Sequence, residues 1–312
     1  MTGLTFRNRG PVAIIRGRRS DPPLGGIPQM TTDVLIDRAI ELLGEARHVV
    51  ALTGAGISTP SGIPDYRSPK SGLWETAADM MEVASIYGFR HHPQTFYDWL
   101  RPLLQVIRSA QPNPAHYALA QLEAAGRLKA VITQNIDLLH GRAGSRSLYE
   151  VHGHLREIVC PACHHLLPAE PALDEFMTSG KIPRCTRCHH IMKPNVVLFG
   201  ELLPWKTMKD AQLQARTADL MLVAGSSLEV APAGDLPEIA LEHGARLIII
   251  NFLDTHLDSQ ADVIIRADVA QVLPRLAAPF LPPMPLIEPP AESLDVAALG
   301  KKPSHGDVSI SG

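Results

Sequence analysis

The chain contains four cysteines, Cys160, Cys163, Cys185 and Cys188, which form two C-x-x-C pairs with 21 residues between them. A deprotonated thiol is a soft metal ligand, and four at this spacing can close a tetrahedral shell around one zinc ion. Two redox C-x-x-C motifs would each have to open a helix. Pro161 and the His-His pairs after Cys163 and Cys188 suit a ribbon better. Because all four positions are cysteine, no coordination position is left for water, so the ion would be structural rather than catalytic.

A second kind of chemistry is suggested by small and amide residues after short apolar runs. Gly54-Ala55-Gly56 follows His48 to Thr53, and a glycine turn there lets backbone N–H groups approach a pyrophosphate. The third glycine of G-x-G-x-x-G is missing, since Thr59 stands in its place. No second strand ending in Asp or Glu follows about 20 residues on, so ordinary NAD oxidoreduction is disfavoured. Gln134-Asn135-Ile136-Asp137 follows Leu128 to Thr133, Gly225-Ser226-Ser227 follows Leu220 to Ala224, and Asn251 follows Leu247 to Ile250. Taken singly, Asn135 and Asp137 read equally as caps of the next helix. His152, in Val151-His152-Gly153-His154, is a candidate general base, or one of 14 histidines with a structural bond.

Residues of these types must be positioned by elements. Leu35, Ala39, Leu42, Leu43 and Ala46 share one face of a helix expected from Thr32, and Asn113-Pro114 starts another that Gly126 closes. The apolar runs, with Val263 to Ile265, do not alternate, as expected of strands buried on both faces of a parallel sheet. Interleaved with helices, they predict a doubly wound α/β sheet of Rossmann-like type over 31–158 and 192–276, with its ligand site beyond the strands' carboxyl ends. A zinc-ribbon insert is expected over about 159–191, and a helical insert over about 72–112. Residues 1–30 read as a flexible arm and the proline-rich run 277–312 as an extended tail.

Composition narrows the class. In 312 residues, 45% are hydrophobic and 20% charged, with a net charge of −3. That balance is globular, and it argues against a duplex-wrapping nucleic-acid binder. No run approaches a membrane span, and arginines flank only the short run Val12 to Ile15, so no secretory signal is read. The expected location is cytoplasmic.

In order along the chain stand GAGIS (54–58), GIPDYRS (62–68), TQNID (133–137), VHG (151–153), the two C-x-x-C pairs, KPNVVLFGE (193–201), GSSLEV (225–230) and Asn251. Together they closely resemble the sirtuin family of NAD-dependent protein-lysine deacylases over about 31–276. Tyr66 stands where many members have Phe, and Ser226 where many have Thr. The resemblance implies NAD as cosubstrate and one structural zinc. It implies that Gly54, Ala55, Gly56 and Ser58 hold the pyrophosphate and that Asp65, Tyr66 and Arg67 lie against NAD, with Arg67 pairing phosphate or ribose oxygens. Asp137 and the Ile136 backbone would hold the nicotinamide carboxamide, and Gln134 would also contact NAD. Gly225, Ser226, Ser227, Asn251 and Val269 would bind the adenosine half. Asn135 would orient a ribose hydroxyl or water, and His152 would be the general base. Val196, Val197, Phe199 and Gly200, with Leu228, Glu229 and Val230, would bracket an acyl-lysine peptide as an added strand. Phe199 reads equally as core.

The alternatives are mono-ADP-ribosyl transfer and a non-catalytic peptide reader. For the acyl group, members that prefer succinyl or malonyl carry Tyr and Arg three apart in the helical insert. Here Tyr97 is followed by Leu100 at that spacing, with Arg101 one later. Asp98 and a helix expected to stop before Pro102 favour Arg101 as a solvated charge, and hence neutral acyl groups, with Met80, Met81, Phe96 and Trp99 as an apolar wall.

Overall fold

The structure, a computed structural model, describes residues 31–65 and 81–282. The positions read at Tyr66, Arg67 and Met80, the arm 1–30 and the tail from 283 lie outside the described residues.

The main sheet has six parallel strands in the order β3-β2-β1-β7-β8-β9, namely Leu148–Glu150, Leu128–Thr133, Val49–Thr53, Leu220–Ala224, Arg246–Ile250 and Val263–Ile265. Its apolar runs fail to alternate because both faces are covered. Val49 and Ala51 point into one core with helices Thr32–Glu45 (α1), Pro114–Ala124 and Val269–Ala277. Val50 and Leu52 point into the opposite core with Trp205–Thr217 and Leu236–Glu242. Thr31 caps α1 by accepting from Val34 N. The chain turns to β2 on one side of β1 and later to β7 on the other, so the strand order reverses at β1.

Two segments leave this plan. A three-stranded antiparallel sheet pairs β5 (Leu166–Pro168) with β4 (Gly153–Val159) and β4 with β6 (Lys193–Val196). It begins at Gly153 rather than Val159 and ends at Val196 rather than Ile191, because the ribbon needs flanking strands to close. The other segment is helical, Ile86–His91 and Pro93–Ser109.

Pro102 lies inside the second of these helices, contrary to the expected break. Proline removes one N–H, while the buried face of Phe96, Tyr97, Leu100, Leu103, Leu104 and Ile107 holds the helix together. That face packs with Phe176, Ile158, Met192 and Leu198 of the zinc segment in a third core. The tail starts later than expected: Ala277 ends a helix, and Phe280 packs against the first core with the Arg127 guanidinium 5.1 Å above its ring. Among the described residues, no helix is long and apolar enough to cross a membrane.

Candidate active site

The turns after β1, β2 and β7 meet at the reversal of strand order. Gln134 N–H donates to Thr53 O at 3.0 Å, and Gln134 Nε2 donates to Ser226 Oγ at 3.0 Å. Asn135 Nδ2 lies 3.1 Å from both Gly54 O and Ser58 Oγ. Ser58 Oγ donates to Asp137 Oδ2 at 2.6 Å. Asn251 ends β8 in the same row, its Nδ2 donating to Leu253 O at 2.8 Å, and Ser227 is half-buried beside Ser226. The described edge of this region ends at half-buried Asp65.

The glycines have a packing purpose as well. Gly54 N–H and Gly56 N–H donate to Ala224 O and Gly225 O. A methyl on Gly54 or Gly56 would stand 2.9 or 2.8 Å from Gly225 O, and Gly225 has φ +63 with its own missing methyl aimed at Gly56 and Ile57. These residues let two turns touch. Their N–H groups donate inside the protein, to Ala224 O at 3.4 Å and to Gly225 O at 2.9 Å.

Asp137 is buried, and burial raises its pKa against the opposing bonds from Ser58 Oγ and Leu139 N–H. A carboxylate with two such donors still has lone pairs for a ligand's N–H₂. Half-buried Ile136 packs beside it on the third core. His152 Nδ1 lies 3.0 Å from Gln134 O, and a carbonyl only accepts. Nδ1 therefore carries the proton and Nε2 keeps its lone pair. Burial lowers the His152 pKa, with the Gln134 bond opposing, so the imidazole is neutral at pH 7. Val197 N–H donates to His152 O at 2.8 Å, joining the residue to the segment after β6.

Other expected contacts are reassigned. Leu228 is 2% exposed, at φ +61, and its side chain belongs to a core; exposed Glu229 and Val230 follow it. Val269 is likewise buried in the first core. Either residue could meet a ligand through its backbone only. Phe199 is 40% exposed and so is not core, Gly200 is exposed, and Val196 is buried beside half-buried Val197. Tyr97 is fully buried, its hydroxyl donating to Met192 O at 2.6 Å. Arg101 donates to Met177 O at 2.8 Å with its guanidinium 4.3 Å from the Phe176 ring centre. It is therefore a packing cation between two elements, not the solvated charge expected. Phe96 is core and Met81 exposed, so they do not line one common wall.

The four thiols come together with all sulfurs within 4.8 Å of one another. Three Sγ pairs stand at 3.4 to 3.6 Å, close to the edge of about 3.8 Å that a tetrahedron with 2.3 Å Zn–S bonds requires. These pairs all run between the two C-x-x-C turns, which share one backbone form. His164 N–H donates to Cys160 O and His189 N–H to Cys185 O, with both histidines at positive φ. The His-His runs supply those turns, and no histidine is needed as a ligand. The residues fit a zinc ion.

Two groups escaped the sequence reading. Thr53 Oγ1 bridges Thr133 Oγ1 and His140 Nε2, each at 2.9 Å, and the His140 ring lies 4.8 Å from that of His116, both buried. Lys193 is 5% exposed and pairs with Glu201. The Lys sits in a motif already noted, but the alternation of Pro194, Val196 and Leu198 would place it on the opposite face, so its burial was not legible there.

A profile of the Sir2 family matches residues 54–232. The NAD-dependent protein deacylase 2 of Archaeoglobus fulgidus is 46% identical over 242 residues, 77% of this chain and 94% of that one. The NAD-dependent protein deacetylase of Thermotoga maritima is 41% identical over 237 residues, 76% and 95% of the two chains. A solved complex of Sir2 with p53 peptide and NAD+ has a TM-score of 0.71 at 40% identity, covering 78% of this chain and 98% of that one. A Sir2Tm structure bound to a propionylated peptide gives 0.70 at 39%, with 78% and 98% covered. Strand-end turns, His152 and thiol cluster thus coincide with a match running through all of them: the chain belongs to the Sir2 family.

Proposed function

We propose that the protein is an NAD-dependent protein-lysine deacylase: acyl-lysine, NAD and water give free lysine, nicotinamide and acyl-ADP-ribose. The observation that carries this reading is His152, proton fixed on Nδ1 by Gln134 O and lone pair kept on Nε2, at the crevice that holds Asn135 and buried Asp137. The relatives' names, deacylase and deacetylase, support it over ADP-ribosyl transfer to protein.

When bound, NAD supplies an anomeric carbon with nicotinamide as leaving group. This chain's residues do the rest. Asp137 accepts the carboxamide N–H₂ of nicotinamide in a buried well, with Ile136 closing one side. Asn135, already held at Gly54 O and Ser58 Oγ, orients a ribose hydroxyl or the attacking water. His152 Nε2 would accept the proton of a ribose hydroxyl, and its lowered pKa keeps it ready at neutral pH. Ser226, Ser227 and Asn251 receive the adenosine half, with the backbone near Val269. Val196 to Gly200 and Leu228 to Val230 flank the peptide. The thiols of Cys160, Cys163, Cys185 and Cys188 hold zinc away from the chemistry. Because thiols stay reduced inside the cell, we place the enzyme in the cytoplasm, which fractionation against a marker enzyme checks.

The test is mass spectrometry of purified protein with NAD and an acetyl-lysine peptide. Free lysine with acyl-ADP-ribose is expected. A mass-shifted acceptor protein with no acyl-ADP-ribose would overturn the reading.

A further inference from the structure

Lys193 is the first residue of β6, and its ammonium is almost wholly withdrawn from water. Burying a charge is costly unless it is paired and hydrogen-bonded, and three partners meet that requirement. Nζ lies 3.0 Å from a Glu201 carboxylate oxygen, 2.6 Å from Val196 O and 3.2 Å from Pro194 O. The same Glu201 oxygen accepts from Leu198 N–H at 2.9 Å, and Glu201 N–H returns to Leu198 O. The segment 193–201 is therefore tied at both ends to one ion pair. Its middle holds Val197, whose N–H bonds His152 O, and exposed Phe199 and Gly200. Phe199 is also fixed laterally, its N–H to Ala84 O and its O accepting from Ile86 N–H.

We propose that the Lys193–Glu201 pair is a positioning clip that holds the 196–200 backbone in the shape an acyl-lysine peptide adds to, and keeps it in register with His152. The inference rests on the reading that 196–200 flanks the peptide. An added strand gains its affinity from a row of main-chain bonds, which form only if the receiving backbone is already extended and fixed. A surface ion pair is worth little, but removing this buried ammonium strands the Glu201 carboxylate and the carbonyls of Pro194 and Val196 together. The clip touches neither NAD nor the reacting atoms, so its loss should appear in peptide binding first.

The experiment measures initial rates with Lys193→Met, Lys193→Arg, Glu201→Gln and the Lys193→Met/Glu201→Gln pair, varying peptide and NAD separately. Lys193→Met is expected to raise peptide KM roughly tenfold, the loss of about one well-formed charged hydrogen bond, with NAD KM changed less than about twofold. Lys193→Arg should recover most of the loss. The double variant should be no worse than Lys193→Met, because the two residues act as one unit. A folded Lys193→Met with unchanged peptide KM, or with peptide and NAD KM rising together, overturns the clip. If Lys193→Met does not fold, Glu201→Gln decides: raised peptide KM alone supports the clip, and an unchanged one overturns it. Cross-linking of a diazirine-bearing acetyl-lysine peptide to wild-type protein separates the underlying reading. Labelling outside both 196–200 and 228–230 refutes that reading, whereas labelling inside 196–200 with unchanged kinetics refutes only the clip.

Discussion

His152 is held by a bond at one ring nitrogen, and that bond decides what the other can do. With Nδ1–H committed to Gln134 O, Nε2 is an acceptor at every pH where the ring is neutral. Burial lowers the pKa, so the neutral form persists below the free value of about 6.5. The acid limb of kcat/KM should have its midpoint below that value, and a midpoint above it would count against His152 as the base. His152→Ala should cut kcat by about 10² or more with NAD affinity within a few-fold, because a base acts in the transition state. Calorimetric NAD titration beside single-turnover rates checks both halves. Asp137 gives the reverse pattern. Its carboxylate is disfavoured by burial, so Asp137→Asn removes a buried charge, and the Ser58 hydroxyl can turn round to meet either amide atom. The expected result is NAD KM raised roughly tenfold with an undiminished melting temperature. A collapse in melting temperature would mean that Asp137 serves the fold and not the ligand.

At the scale of elements, each C-x-x-C pair is one turn with its own backbone bonds, the pairing of β4 with β6 brings the two turns together, and their facing sulfurs are placed to share one ion. Cys185→Ala should therefore abolish stoichiometric zinc in elemental analysis and lower stability, with activity lost as a consequence. Full activity in zinc-free protein would refute the structural assignment. The pair His116 and His140 makes a different element sensitive to acid. His116 caps helix Pro114–Ala124 in a capping box with Asn113, and burial brings its pKa to about 4. Burial and its neighbour lower His140 as well. Both folded values lie below the unfolded one, so between about 4 and 6.5 the unfolded chain binds protons that the folded chain refuses. Stability is complete above that window and is lost as pH falls through it, by about 3 kcal/mol for a group shifted as far as His116. Urea unfolding at pH 7.5 and pH 5 should show this loss, and His116→Gln should flatten it. An unflattened curve would assign the loss elsewhere.

Across the whole molecule, the helical insert and the zinc segment share a single core, through Tyr97, Arg101 and Phe176. Metal removal should therefore loosen Pro93–Ser109 as well as the ribbon, visible as faster amide exchange along that helix. Arg101 and Tyr97 are used up in this contact, so Arg101→Ala should lower the melting temperature and leave the ratio of kcat/KM on acetyl and succinyl peptides unchanged. A succinyl preference that vanishes in Arg101→Ala would reverse this and make Arg101 a specificity residue.

By itself the sequence determined the metal site and five of the six strands of the main sheet, because these are written locally, while the short edge strand Leu148–Glu150 was not legible. Leu128 to Thr133, Leu220 to Ala224 and Val263 to Ile265 are the strands to the residue, since strands buried on both faces read as near-continuous apolar runs, interrupted in the first only by exposed Lys129. Four thiols at fixed spacing allow one coordination shell. The order of the motifs was enough to name the family. The tertiary structure alone decided how side chains were spent. That Gly54 and Gly56 serve a contact with Gly225, that Leu228 and Val269 face inward, and that Arg101 lies on Phe176 depend on partners far along the chain. Pro102 stays helical for the same reason: burial of a whole helix face outweighs one missing hydrogen bond. Local pattern tells which residues an element offers, and packing between distant elements determines which of them remain free to act.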